Sequence, residues 1–144
     1  MEDLDRKIVD LLTRDGRMSF TDLGKATGLS TSAAHQRVRR LEERGVIRGY
    51  TAVVDHNQTG FPTSALISVS PFDQSAPDDI PDRLRDLPEI ESCWSVAGGE
   101  NYVLKVRVGT PLDLEDLLAR IRSAASVSTR TTVVLSTPWE ARPR

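Results

Sequence analysis

Apolar residues fall at helical spacing through the first third of the chain and alternate at strand spacing through the rest. Leu4, Ile8, Leu11 and Leu12 stand at i, i+4, i+7 and i+8, which predicts a short amphipathic helix starting at Asp3. Asp3 is a suitable cap for it, and Gly16 lies where it must stop. A second short helix is expected after Ser19, with Asp22 at capping-box spacing, Leu23 and Ala26 facing inward and Gly28 at its end. Phe20 is expected in the core. Only Gly28 and Leu29 then precede Ser30, the expected N-cap of a third helix running to about Arg44. On that helix Ala34, Val38 and Leu41 share the inner side, while Ser32, His35, Gln36, Arg39 and Arg40 occupy the others.

Beyond Ile47 the period changes. Ile47 to Val54 is rich in β-formers, Asp55 to Gly60 reads as a turn or linker, and Pro62 closes it. Ala65, Ile67 and Val69 alternate with small or polar neighbours, predicting a strand over 63–70. A helix is expected from about Asp79 to Leu87, since Pro81 is tolerated only in a first turn. Ile90, Ser92, Trp94 and Val96 alternate against Glu91, Cys93, Ser95 and Ala97 as the next strand, and Gly98 to Asn101 signals a hairpin turn. Tyr102, Leu104, Val106 and Val108 mark a third strand. Leu114, Leu117, Leu118 and Ile121 mark a second helix, and 129–135 a last strand.

This order predicts an α+β protein in two parts. Residues 1–48 form a three-helix, winged-helix-like helix-turn-helix domain, 49–61 a strand and linker, and 62–138 a ferredoxin-like βαββαβ domain; 139–144 is a tail. With both helices on one face of the sheet, the other face needs a cover. The simplest is a second copy, sheet against sheet, in a two-fold dimer.

Composition removes several classes. The 144 residues are 38% hydrophobic and 28% charged, ordinary for a folded domain. A single cysteine, Cys93, excludes an internal disulfide and suits a reducing compartment; it is read as a packing residue on its strand. His35 and His56 are far apart and lack Cys neighbours, so no zinc site of usual spacing is expected. No apolar run approaches a membrane span and the start lacks a signal-peptide pattern, so the expected location is cytoplasmic, with no membrane partner. Phosphate-binding, dinucleotide and nucleophile-elbow motifs are missing, so neither an enzyme nor a cofactor is expected. Asp78, Asp79 and Asp82 stand at a helix start, where they complement its dipole.

Charge sharpens the reading of the third helix. The net charge is −2, yet Arg37, Arg39, Arg40, Arg44 and Arg48 face only Glu42 and Glu43 between Ser30 and Tyr50. A merely solvated helix needs scattered charge. A reading helix needs small or polar side chains in its first turns and arginines behind them for phosphates. Thr31, Ser32, His35 and Gln36 meet the first requirement, and Arg37, Arg39 and Arg40 the second. Gln36 is suited to bidentate pairing with adenine. For Arg37 a brace to Glu42 or to a neighbouring helix stands beside the phosphate role. The expected partner is double-stranded DNA, read by a homodimer whose helices lie one DNA turn apart. The alternatives are an effector-free architectural DNA-binding protein and an adaptor whose helix-turn-helix binds protein. RNA is disfavoured because Phe20 and Tyr50 make no stacking platform.

The run Leu29-Ser30-x-Ser32-Ala33-x-x-x-Arg37-Val38-Arg39-Arg40-Leu41-Glu42-x-x-Gly45-Val46-Ile47 resembles the recognition helix and exit of the Lrp/AsnC (feast/famine) bacterial transcription regulators. The opening Leu4-Asp5-x-Lys7-Ile8-x-x-x-Leu11 resembles that family's first helix. The resemblance implies a regulator that dimerises through its ferredoxin-like domain and often assembles four dimers into an octamer. It also implies small effectors, commonly amino acids, bound between regulatory domains. The family's effector loop, roughly Thr-Gly-x-x-Asp-Tyr, corresponds to Ala97-Gly98-Gly99-Glu100-Asn101-Tyr102. Apart from that loop, Thr129 and Thr131 are candidates to line an effector site across an interface, beside the plain reading of Thr as a good strand residue. Gly98 and Tyr102 match. Asn101 replaces the acid that would pair with an ammonium, and Ala97 replaces a hydroxyl. Glu100 offers a carboxylate one position earlier, and Gly98 and Gly99 leave backbone N–H groups open to an effector carboxylate.

Overall fold

The first apolar stripe does form a helix. In the computed structural model, which describes all of Met1–Arg144, α1 spans Asp3–Arg14. Its cap differs from expectation: Glu2 holds the N-cap position, without a side-chain cap bond, and Asp3 is the first helical residue. Helix α2 (Phe20–Thr27) starts as expected, Ser19 Oγ accepting from the Asp22 N–H. Helix α3 (Thr31–Glu43) is capped likewise by Ser30 Oγ, which accepts from the Ala33 N–H. The turn between α2 and α3 depends on two glycines. Gly28 takes φ +74°, a left-handed conformation that side chains resist. At Gly24 a Cβ would come within 2.5 Å of the Leu29 carbonyl oxygen. Ile8, Leu23, Ala34, Val38 and Leu41 are the buried core of the three helices.

Two expectations fail in this region. Phe20 stays outside that core and is 37% exposed, because it opens α2 on the side facing α3. The β-rich run from Ile47 to Val54 forms no strand, since no segment of the chain pairs with it, and Val53 is 99% exposed.

The chain divides into two compact units, Met1–Val53 with Trp139–Arg144, and Val54–Pro138. Within the first, an Arg14 guanidinium N–H donates to the Arg144 carbonyl oxygen at 2.7 Å, and Arg142 lies over the Trp139 ring.

The second unit is an antiparallel sheet of four strands, β1 (Thr63–Pro71), β2 (Ile90–Ser95), β3 (Tyr102–Val108) and β4 (Val127–Val133), in the order β2-β3-β1-β4. This is the ferredoxin-like arrangement that the alternation of signals predicts. Helices α4 (Ile80–Leu84) and α5 (Pro111–Ala125) pack on one face. Helix α5 opens with a reciprocal capping box between Thr110 and Asp113. Helix α4 ends at Leu84, short of the expected Leu87. Ala65, Ile67, Val69, Leu104 and Val106 meet Ile80, Leu84, Leu117 and Ile121 in the core. Each of the Val, Leu and Ile side chains here contributes roughly 1.5–3 kcal/mol by leaving water.

Strand β2 departs from the simple alternation. Ile90 pairs with Val106 while Ser92 pairs with Lys105, so Glu91 sits in a bulge. The bulge returns Cys93, opposite Leu104, to the helix-bearing side. Because α4 is so short, Cys93 is left exposed there and not packed as expected. The other sheet face centres on Leu66, Val103 and Trp94, among Ser64, Ser68, Ser92, Lys105, Arg107 and Arg130. No helix is long and apolar enough to cross a membrane.

Candidate functional site

Helix α3 presents its residues in two sets. Ala34, Val38 and Leu41 are buried, while Thr31, Ser32, His35, Gln36, Arg39 and Arg40 are all exposed. The periodicity that packs the helix therefore lines up the polar and basic positions on its outside. The first turn carries hydroxyls and the later turns carry guanidinium groups. This order suits base edges followed by phosphates.

Arg37 belongs elsewhere. One guanidinium nitrogen lies 3.0 Å from Glu2 Oε2 and 3.1 Å from Asp5 Oδ1, and the side chain is only 24% exposed. These hydrogen bonds, to Glu2 first and then Asp5, raise the Arg37 pKa above its ordinary value. Of the two roles open to it from sequence, the structure supports the brace, to α1 and not to Glu42. Arg39 instead makes a loose exposed pair with Glu43 along its own helix, at 3.4 Å. Such a pair is easily exchanged for another anion.

His35 is oriented from outside its own helix. Its ring stacks on Phe20, with centroids 4.4 Å apart and planes inclined by 29°. Nearby, the Thr31 hydroxyl donates to Thr21 Oγ1 at 3.4 Å. Sequence reasoning missed Phe20 and Thr21 because their partners lie across the turn.

The second candidate region is the β2–β3 hairpin. Its neck is closed by the Val96 N–H donating to the Asn101 carbonyl, while the Asn101 N–H donates across to the Val69 carbonyl. Neither Gly98 nor Gly99 takes a left-handed φ, and a Cβ on either would meet nothing within 4 Å. The glycines leave this backbone open to approach from outside. Glu100 is paired with Arg130 of β4 at 2.8 Å, a partner that strand patterning does not reveal. The Tyr102 hydroxyl donates to the Asp78 carboxylate, with both oxygens at 2.8 Å, which raises the phenol's pKa. Asp78 thus anchors the hairpin's base from the loop before α4, beyond the dipole role read from sequence.

Thr131 is not brought to this hairpin. It pairs with Ile67, whereas Val69, which pairs with Tyr102, has Thr129 on its other side. Cys93 and Tyr102 contribute to an open groove of about 470 Å³ beside α4, with Leu84, Arg85 and Ser95. Partial desolvation by the groove walls pushes the Cys93 thiol pKa up although the residue is exposed overall, so it is a weak nucleophile.

A helix-turn-helix unit joined to a ferredoxin-like sheet defines a two-domain DNA-binding regulator. Known proteins agree. Residues 1–42 match the AsnC-type helix-turn-helix domain, and residues 64–144 match the Lrp/AsnC ligand binding domain. The chain is 49% identical over 142 residues to the HTH-type transcriptional regulator LrpA of Mycobacterium tuberculosis, covering 99% of this chain and 95% of that one. It is 34% identical over 140 residues to the leucine-responsive regulatory protein of Klebsiella pneumoniae, covering 94% and 85%. Among solved structures, a feast or famine regulatory protein from M. tuberculosis complexed with L-methionine superposes with a TM-score of 0.97 at 48% identity, covering 99% of this chain and 97% of that one. The chain belongs to the Lrp/AsnC family of helix-turn-helix transcriptional regulators, a non-enzymatic class.

Proposed function

We propose that this regulator reads the major groove of double-stranded DNA with α3, Thr31, Ser32, His35 and Gln36 approaching base edges and Arg39 and Arg40 contacting phosphates. The observation that carries the reading is the separation of α3 into a buried apolar side and an exposed side bearing all six of these residues. Arg37 is left out of these roles because Glu2 and Asp5 already engage it. The test is a gel-shift titration at several salt concentrations. Removing one phosphate-neutralising side chain should flatten the slope of log affinity against log salt by about 0.9. Arg39→Ala and Arg40→Ala are expected to do so, and an unchanged slope for both would remove them from the interface.

In the same reading the sheet unit binds a small effector, an amino acid, at Gly98, Gly99, Glu100, Asn101 and Tyr102. Support comes from the open glycine backbone of the hairpin and from the related regulator crystallised with L-methionine. Two copies pair through the sheet face centred on Leu66, Val103 and Trp94, and dimers assemble further into an octamer. The site of action is the cytoplasm, where the DNA target lies. A thermal-shift screen against the twenty amino acids tests effector binding. Ligand at about 100 times its dissociation constant adds roughly 2.7 kcal/mol of stability. A hit lost in Gly98→Val supports this site; a hit that survives moves the effector elsewhere.

A further inference from the structure

We propose that Phe20 is a positioning residue of the DNA-reading surface: it holds the His35 ring in one orientation, so that base preference where His35 points depends on an aromatic side chain of α2. This rests on the assignment of α3 as the reading helix. A phenylalanine opening a short amphipathic helix would ordinarily be buried, yet Phe20 remains 37% exposed and outside the core of Ile8, Leu23, Ala34, Val38 and Leu41. Its ring lies instead on the His35 imidazole, at 4.4 Å between centroids. The start of α2 is a firm base for that stack, because Ser19 caps it. Thr21, the next residue, meets the Thr31 hydroxyl one turn before His35 on α3. Adjacent residues of α2 thus touch two positions four apart on the outer side of α3, and both of those positions are proposed to approach bases.

An exposed histidine otherwise samples several rotamers, and ordering it on DNA costs affinity for the matching site. A ring already stacked has met that cost before binding. Phe20 need not touch a base for this. A direct contact of Phe20 with the DNA backbone would instead affect all sequences alike.

The experiment uses the full chain, a duplex selected by the wild-type protein from a random pool, and a scrambled duplex of equal length. Phe20→Leu keeps apolar volume without an aromatic face. It should lower the ratio of the two affinities about three- to tenfold, the range expected for loss of an aromatic pair. The salt slope should stay unchanged, and Phe20→Tyr should retain the ratio. His35→Ala should lower the ratio as well, and adding Phe20→Leu to it should lower it no further. In protein without DNA, the His35 ring proton resonances should move toward free-imidazole positions in Phe20→Leu. Additive losses, a shallower slope or unmoved resonances would each overturn the proposal. Wild-type protein that enriches no duplex from the pool, or whose binding does not depend on salt, would remove the reading-helix assignment, and this role with it. The DNA-free resonances still report the stack in that case, so the two failures are distinguishable. Should Phe20→Leu melt the helical unit, Phe20→Met makes the same comparison at this partly exposed position.

Discussion

The outer side of α3 and the β2–β3 hairpin are built on opposite plans. On α3 the proposed DNA-facing residues leave a small core and end in solvent, held only by local contacts: the loose pair of Arg39 with Glu43 and the stack of His35 on Phe20. At the hairpin the candidate side chains are already tied to other strands and loops: Glu100 to Arg130, Tyr102 to Asp78. On the proposed reading, a polyanion at the first surface has only water and weak internal pairs to displace. The second exchanges bonds within the fold, so an effector bound where we propose would compete with bonds that also hold the sheet unit together. This contrast suits a protein in which one unit grips and the other senses.

The contrast is broken most readily at the core of the helical unit. Leu41 is about 1% exposed and joins α3 to α1 and α2. Leu41→Ala should cost about 2–5 kcal/mol. In a calorimetric scan the helical unit should melt early while the sheet unit is little changed; a single transition shifted as one would show that the two units fold together. A smaller and more specific effect separates the arginines of α3. Arg40→Ala should flatten the DNA salt slope by about 0.9 with little change in melting temperature. Arg37→Ala should do the reverse, lowering the melting temperature and leaving the slope intact, because its partners are Glu2 and Asp5. If both variants flatten the slope equally, the brace assignment is wrong.

Within the sheet unit, Tyr102→Phe removes the hydroxyl that bonds Asp78. It is expected to lower the melting temperature modestly and to loosen the hairpin, seen as faster amide exchange at Asn101. Unchanged exchange would uncouple the hairpin from Asp78. The smallest effect is one of pH. Arg120 hydrogen-bonds Glu89 and holds its carboxyl below the ordinary value of 4.5. A depressed folded pKa contributes stability that is full above the ordinary value and disappears as pH falls through the depressed one. Wild-type protein should therefore lose more stability than Glu89→Gln on acidification below about pH 4.5. Parallel acid-denaturation profiles would show the pair to contribute nothing.

Much of the fold is legible in spacing alone. Three helices, four strands in ferredoxin order and the capping residues Ser19 and Ser30 follow from hydrophobic period and local turn chemistry. Both are encoded within a few residues of one another. The register of β2 was not legible. A bulge at Glu91 inserts one residue, and only pairing with β3 tells which side Cys93 takes. The length of α4 and the missing strand over 47–54 escaped for a related reason: a helix ends where packing stops, and a strand exists only if another segment accepts its hydrogen bonds.

The candidate sites divide in the same way. The polar and basic side of α3 could be read from the chain because side-chain direction in a helix follows residue number. The family could be read as well, because its motif lies in one continuous run from Leu29 to Ile47. Which arginine is engaged inside the fold, what orients His35 and what Glu100 and Tyr102 bond to required three dimensions. Arg37 meets Glu2 and Asp5 over a separation of more than thirty residues, and Glu100 meets Arg130 across the sheet. Local periodicity tells which way a side chain points. The partner it finds there depends on how distant segments are brought together.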